Sequence, residues 1–203
     1  MKLGIITDIH EDVENLKKAL DRFKAERVDQ IVVIGDILRT GDRIVETCQR
    51  LADARAVGVW GNHDFGLCVE PDARFRSRFG EDVIKFMASL KPRLEIEGCY
   101  FAHVEPWLNP EDISDLWYIE GPPEDPGQIA RIFDAVPNRL MFSGHHHCWQ
   151  LVMPHEISDW SGQTPVQLSE GRFFVIVGPL CEGQSAMLDT RTWELIPFND
   201  QAR

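Results

Sequence analysis

Short polar groups recur along this chain, each directly after an apolar run: Asp8-Ile9-His10, Gly35-Asp36, Gly61-Asn62-His63-Asp64, His103, and Gly144-His145-His146-His147. The runs that precede them are Gly4–Thr7, Ile31–Ile34, Val57–Trp60, Cys99–Ala102 and Leu140–Phe142. Imidazole nitrogen and carboxylate oxygen are ligands for divalent transition metals, and a catalytic metal site gathers several of them from different strand ends. Asp-x-His alone says little, since roughly 0.5 chance matches are expected in a chain of this length. Gly-Asn-His-Asp is expected only about 10⁻³ times, and Gly-His-x-His about 10⁻² times. A lone histidine in a core is more often a packing residue, but His10, His63, His103, His145 and His147 all fall on these positions, which argues against that reading.

The elements that must position these groups can be read from periodicity. Lys2–Thr7, Gln30–Ile34 and Ala54–Trp60 read as strands. Between them, Val13, Leu16, Leu20 and Phe23, then Ile44, Val45, Cys48 and Leu51, recur at helical spacing and are expected to form core faces. A β-α-β-α-β succession implies parallel strands with helical crossovers, and ligands in such sheets bind at the carboxyl ends of the strands. A helix is expected at Glu81–Leu90, then a hairpin of Arg93–Ile96 and Cys99–His103 turning at Glu97-Gly98. Residues from Val104 to Pro126 are rich in proline and acids and carry Trp107, Trp117 and Tyr118. Ile129–Val136 reads as a short helix, followed by strands at Arg139–Ser143, Cys148–Met153, Arg172–Val177, Ser185–Asp189 and Trp193–Pro197.

The chain has 203 residues, with 21 Lys+Arg against 33 Asp+Glu and a net charge of −12. Its 43% hydrophobic and 27% charged residues suit one ordinary folded domain, 1–203. The acidity argues against a polynucleotide or an anionic membrane as partner, since both need a basic surface. A small anionic substrate remains open where cations make a pocket positive. The longest apolar runs, Ile31–Ile34 and Phe173–Val177, fall far short of the roughly 20 residues of a membrane helix. Gly4-Ile5-Ile6-Thr7-Asp8 reads as a strand entering a loop and not as a leader. Cys48, Cys68, Cys99, Cys148 and Cys181 are dispersed, which points to reduced thiols and a cytoplasmic protein.

Taken in order, these motifs resemble the calcineurin-like metallophosphoesterase superfamily, with its Asp-x-His, Gly-Asp, Gly-Asn-His-Asp/Glu, His and Gly-His-x-His groups. By motif the resemblance spans residues 3–147, and the small bacterial and archaeal phosphodiesterase-like members are similar in length. It implies an α/β fold of two facing mixed β-sheets flanked by helices, a four-layer α/β/β/α sandwich in one domain, with an insertion or cap at about 104–138. It implies two divalent transition-metal ions, with manganese the first expectation and iron, zinc, nickel or cobalt the others. Asp8, His10, Asp36 and His147 would hold one ion, and Asp36, Asn62, His103 and His145 the other, with Asp36 bridging. Such a pair activates a shared hydroxide for in-line attack on phosphorus. His63 matches the general acid that protonates the leaving alkoxide.

Some positions depart from the pattern. The protein-phosphatase and dinucleotide-tetraphosphatase branches carry Gly-Asp-x-x-Asp-Arg-Gly, and here Arg39 and Thr40 replace that second Asp and its Arg. Arg39 is a candidate donor to a substrate phosphate, or a solvated loop residue. Val104 follows His103 where glycine is common, and His146 stands where Thr or Ser is usual. His146 and His155 read as surface or supporting residues, and Asp64 as a structural acceptor for the motif loop. The aromatics of the insertion are expected to anchor it to the core more readily than to touch substrate.

The resulting expectation is a dinuclear metal-dependent phosphoric ester hydrolase acting on a small phosphate ester, a diester ahead of a monoester or nucleotide. The rival of another class is a non-catalytic scaffold of the same fold, which would have no need of His63 or of a complete ligand set. A homo-oligomer is compatible with the resemblance.

Overall fold

The computed structural model describes residues 1–118 and 120–200. Ile119, inside the expected insertion, and the last three residues of the expected 1–203 domain lie outside the described residues. β1 (Lys2–Ile6), α1 (Val13–Ala25), β2 (Gln30–Ile34), α2 (Ile44–Asp53) and β3 (Val57–Val59) open the fold as the expected parallel unit. Three short helices follow: α3 (Phe65–Cys68), α4 (Ala73–Phe79) and α5 (Glu81–Met87). Then come β4 (Leu94–Ile96), β5 (Cys99–Phe101), α6 (Ile113–Leu116), α7 (Pro126–Ala135) and β6 (Leu140–Ser143). The chain ends through β7 (Gln150–Met153), β8 (Glu156–Ile157), β9 (Val166–Gln167), β10 (Phe173–Ile176), β11 (Gln184–Asp189) and β12 (Glu194–Asn199).

The strands form two six-stranded mixed sheets, ordered β3-β2-β1-β11-β12-β9 and β4-β5-β6-β10-β7-β8. Alternation along each strand assigns its side chains to layers. Leu3, Ile5, Val32, Ile34, Phe101, Phe142, Val175 and Leu188 meet in one buried cluster between the sheets. Ile6, Ile31 and Val33 point the other way, onto Leu16, Phe23, Cys48 and Leu51 of α1 and α2. On the far side, Tyr100, Met141, Phe174 and Ile176 pack against Ile129, Ile132 and Phe133 of α7. The layers are therefore helix, sheet, sheet, helix, as the resemblance implies.

Several boundaries differ from the sequence reading for local reasons. Val45 is 58% exposed and is not a core residue; Thr47 takes its place beside Ile44, Cys48 and Leu51. A helix turns about 100° per residue, so 44, 48 and 51 align while 45 rotates away. The third strand is confined to Val57–Val59, because Ala54 caps α2 and Arg55 turns the chain at φ 53°. Helix α7 begins at Pro126, three residues before the apolar signal. The Asp125 side chain accepts from the N–H groups of Gly127 and Gln128, and Gln128 reaches back to close a capping box. Since β5 and β6 are parallel, α7 is their crossover.

Candidate metal centre

The polar groups predicted from the sequence all lie at these strand ends, and a cleft of about 400 Å³ is lined by His10, Asp36, Arg39, Asn62, His63, Trp117, His145, His147 and Cys181. Asp8 and His103 are fully buried behind it. Asp8, His10, Asp36, His145 and His147 all carry positive φ, between 45° and 71°. Non-glycine residues held in this left-handed region cost about 1–3 kcal/mol each, and such strain collects at functional sites. It re-aims each side chain sharply at the end of its strand.

Two glycines permit the closeness of these loops. A Cβ at Gly61 would stand 2.1 Å from Asp36 Oδ1, and one at Gly144 would stand 1.9 Å from Thr7 Oγ1. Buried acceptors then fix the backbone. The Asp64 carboxylate, fully buried, accepts from the N–H groups of Ile37, Leu38 and Gly61 and so ties the loop after β2 to the loop after β3. That is the structural role its sequence position suggests. Burial, with the charge of Asp36, pushes its pKa up to about 7, against the pull of those three donors.

The candidate ligand atoms converge in two sets. In the first, His10 Nε2 and His147 Nε2 are 3.1 Å apart. Asp8 Oδ1 is 3.3 Å from His147 Nε2, and Asp36 Oδ2 is 3.8 Å from His10 Nε2. In the second, Asn62 Oδ1 lies 3.0 Å from His103 Nε2 and 3.1 Å from His145 Nδ1, while Asp36 Oδ1 is 3.5 Å from His103 Nε2. Asp36 thus turns one oxygen to each set.

The donor chemistry fits cations at both positions. His10 Nδ1 donates to Leu38 O at 3.3 Å, His103 Nδ1 to Ile34 O at 2.7 Å and His145 Nε2 to Tyr118 O at 3.3 Å. A carbonyl can only accept, so the opposite nitrogen of each ring is left with its lone pair facing the ligand set, the arrangement of metal-ligating histidines. Asp8 Oδ2 accepts from the Thr7 hydroxyl and from His145 N–H, but its buried Oδ1, 3.3 Å from His147 Nε2, has no hydrogen-bond partner among the described residues. The 3.1 Å between His10 Nε2 and His147 Nε2 is close enough for both nitrogens to reach one ion. Without a cation, charge is shared through protons. Burial opposes protonation of His103, yet Asp36 beside it lifts its pKa to about 9. The Asp8 carboxylate, then the Cys181 thiol, lift His147 to about 10. Burial, helped by His103 and His146, lowers His145 to about 4.

His63 stands beside both sets, its Nε2 4.0 Å from Asp36 Oδ2 and its backbone N–H donating to Asp36 Oδ1. Arg39 is exposed at the cleft, and its guanidinium has no hydrogen-bond or ion-pair partner among the described residues.

Some contributions were not anticipated. Buried Glu11 accepts from the N–H groups of Arg39, Gly41 and Arg43 and so shapes the Arg39 loop; its place directly after the Asp-x-His group was the available signal. Of the two readings of His146 the structure takes the supporting one, since its side chain is only 5% exposed and pairs with Glu105 at 2.9 Å; Glu105 as its partner was not foreseen. His155 is exposed. The insertion's aromatics divide: Trp107 and Tyr118 pack edge to face at 5.2 Å as anchors, whereas Trp117 lines the cleft.

A model of the calcineurin-like phosphoesterase superfamily domain matches residues 1–186. An uncharacterized protein of Methanocaldococcus jannaschii is 26% identical over 161 residues, which is 71% of this chain and 62% of that protein. A phosphodiesterase of the same organism is 29% identical over 68 residues, 34% of this chain and 39% of the relative. The matches therefore span less than two thirds of either relative's own length. Among solved structures, a metallophosphoesterase from Sphaerobacter thermophilus superposes with a TM-score of 0.80 at 21% identity, covering 100% of this chain and 89% of that one. An archaeal phosphodiesterase gives 0.57 at 15% identity, covering 98% and 99%. At these identities the likeness is one of fold.

Proposed function

The chain belongs to the calcineurin-like phosphoesterase superfamily, and from that premise we propose that it is a dinuclear metal-dependent hydrolase of small phosphodiesters. The observation that carries this reading is the presence of two ligand sets sharing Asp36 in one cleft. The family is metal-dependent, and the Asp and His groups here are able to hold metal. Asp8, His10, Asp36 and His147 would hold one ion, and Asp36, Asn62, His103 and His145 the other. When bound, two divalent ions supply Lewis-acid charge that neutralises phosphate oxygens and lowers the pKa of water. Manganese is the first choice for loading.

The protein's own residues supply the rest. The loops from five strand ends would fix the phosphorus in place, so that attack and departure are in line. As the oxygen of a water that has given up one proton to solvent forms the new bond to phosphorus and the bond to the leaving oxygen breaks, His63 gives its proton to that leaving oxygen and is then reprotonated from solvent. Arg39 offers a planar donor to a non-bridging oxygen or a neighbouring phosphate. A cleft of about 400 Å³ has the size of a small-molecule site. The diester is supported by the phosphodiesterases among the relatives and by Arg39 and Thr40 standing where the protein-phosphatase pattern has Asp and Arg. Among the described residues no helix is long and apolar enough to cross a membrane, and a cytoplasmic location is proposed on the reduced cysteines.

Turnover of bis-p-nitrophenyl phosphate against p-nitrophenyl phosphate in Mn²⁺, with and without EDTA, tests the reading. Diester turnover abolished by EDTA is expected. His63→Ala should reduce turnover of an ester with a more basic leaving group, such as diphenyl phosphate, by about 10²- to 10⁴-fold, and of the p-nitrophenyl ester by less, with bound metal unchanged. Preference for the monoester would replace the diester assignment, and metal loss in His63→Ala would remove its role as acid.

A further inference from the structure

The His63 imidazole is poorly restrained by polar contacts. It makes no hydrogen bond among the described residues, its side chain is 34% exposed, and its one charged neighbour, Asp36 Oδ2, is 4.0 Å away. A general acid has to present its proton at a fixed point, so something else must hold this ring. Two rings touch it. His10 meets it edge-on at 5.0 Å between centroids, and Trp117 meets it at 5.2 Å with the planes inclined by 53°.

Trp117 is otherwise hard to account for. At 48% exposed it leaves much of a large apolar ring in water, while the residues on either side of it are firmly placed. Leu116 is completely buried, and Tyr118 packs against Trp107 and offers its carbonyl to His145 Nε2. Upstream, Asp112 caps α6 through Ser114 N–H, and Trp60 Nε1 donates to Pro110 O at 2.8 Å. The segment is pinned on both sides of Trp117, so the indole is held over His63 by its backbone and not by burial of its own ring. Aromatic pairs at this spacing prefer tilted or edge-to-face arrangements, which limit ring rotation.

We propose that Trp117 is the positioning residue for His63, a wall brought in from the insertion against which the acid is held while its proton passes to the leaving oxygen. The inference rests on His63 being that acid. It predicts that the benefit of Trp117 grows with the basicity of the leaving group, because p-nitrophenolate departs with little help from a proton and phenolate does not.

The test uses the metal-loaded full-length protein with Trp117→Ala, Trp117→Phe, His63→Ala and the Trp117→Ala/His63→Ala double variant. The substrates are bis-p-nitrophenyl and diphenyl phosphate, or the matching monoesters should wild type prefer those. Trp117→Ala is expected to lower kcat on the phenyl ester by about 10- to 100-fold, a part of the full acid contribution. The p-nitrophenyl ester should lose only a few-fold, with KM little changed and metal content intact. Trp117→Phe should recover most of the loss, and in the His63→Ala background Trp117→Ala should do nothing further. A readout independent of turnover is the ring-current shift of the His63 carbon-bound protons in metal-free protein, which Trp117→Ala should reduce to the part that the His10 ring supplies. An unshifted His63 signal, equal losses on both esters, or additive losses in the double variant would each overturn the assignment. A KM rise on both esters with kcat unchanged would reassign Trp117 to substrate stacking. Inactive wild type, or metal loss in His63→Ala, would instead defeat the underlying reading.

Discussion

Where the parallel strands of the first sheet end, the loops are held by two buried carboxylates that each accept three backbone N–H groups; where residues 104–118 pass the same cleft, packing of rings and leucines carries more of the hold, beside single polar contacts such as His146 with Glu105 and Trp60 with the Pro110 carbonyl. Asp64 takes three N–H donors, from Ile37, Leu38 and Gly61, and Glu11 takes three more, from Arg39, Gly41 and Arg43. On the other side Leu108 and Leu116 are buried, Trp107 meets Tyr118, and Arg131 lies 5.2 Å over Trp107. Charge-assisted hydrogen bonds are directional and intolerant of a change of partner, whereas apolar burial scales with area and accepts alternatives of similar volume. The first region therefore suits fixed ligand geometry. The second suits a surface that can change with the substrate.

That contrast can be broken most severely at Gly61, where the loops are closest. In Gly61→Ala the new Cβ would stand 2.1 Å from Asp36 Oδ1, so the shared carboxylate has to move. Turnover should fall by more than about 10²-fold, with less bound metal on elemental analysis. Asp64→Asn, nearly isosteric, tests the same region more gently. It removes an acceptor from buried N–H groups and sets an amide against one of them, so about 1–3 kcal/mol of stability should be lost in urea unfolding. Turnover should drop alongside. Arg39→Ala leaves the Glu11 bonds to the loop backbone untouched and should raise KM a few-fold, read from initial rates across substrate concentration. Leu116→Met, the counterpart of Asp64→Asn in the insertion, should cost less than about 1.5 kcal/mol and leave kcat unchanged. If Leu116→Met proves as damaging to turnover as Asp64→Asn, the two regions do not differ as described.

Legibility in the sequence followed the same division. Each of the polar groups sits directly after a strand-like run, and all of them come together because parallel strands place their carboxyl ends on one side. Asp64 could be read as an acceptor from its place inside a ligand loop. The left-handed backbone at Asp8, His10, Asp36, His145 and His147 could not, since only glycine announces that conformation in a sequence. Trp117 was grouped with Trp107 and Tyr118 as an anchor. Nothing local separates three aromatics in one acidic, proline-rich stretch, and the contact with His63 is made across 54 positions of chain. The start of α7 was legible in Asp125-Pro126-Gly127-Gln128, but the apolar period begins only at Ile129 and drew the boundary inward. β8 and β9, each of two residues, are too short for any period to show.

The central claim is that one carboxylate, Asp36, joins two cation sites. It is tested most directly by counting metal per chain. Wild type and Asp36→Ala would be stripped with EDTA, loaded with Mn²⁺, desalted and analysed for metal and protein. The account predicts close to two ions per chain in wild type and fewer than one in Asp36→Ala with the fold retained by circular dichroism. Wild type that holds a single ion, or Asp36→Ala that still holds both, would contradict it.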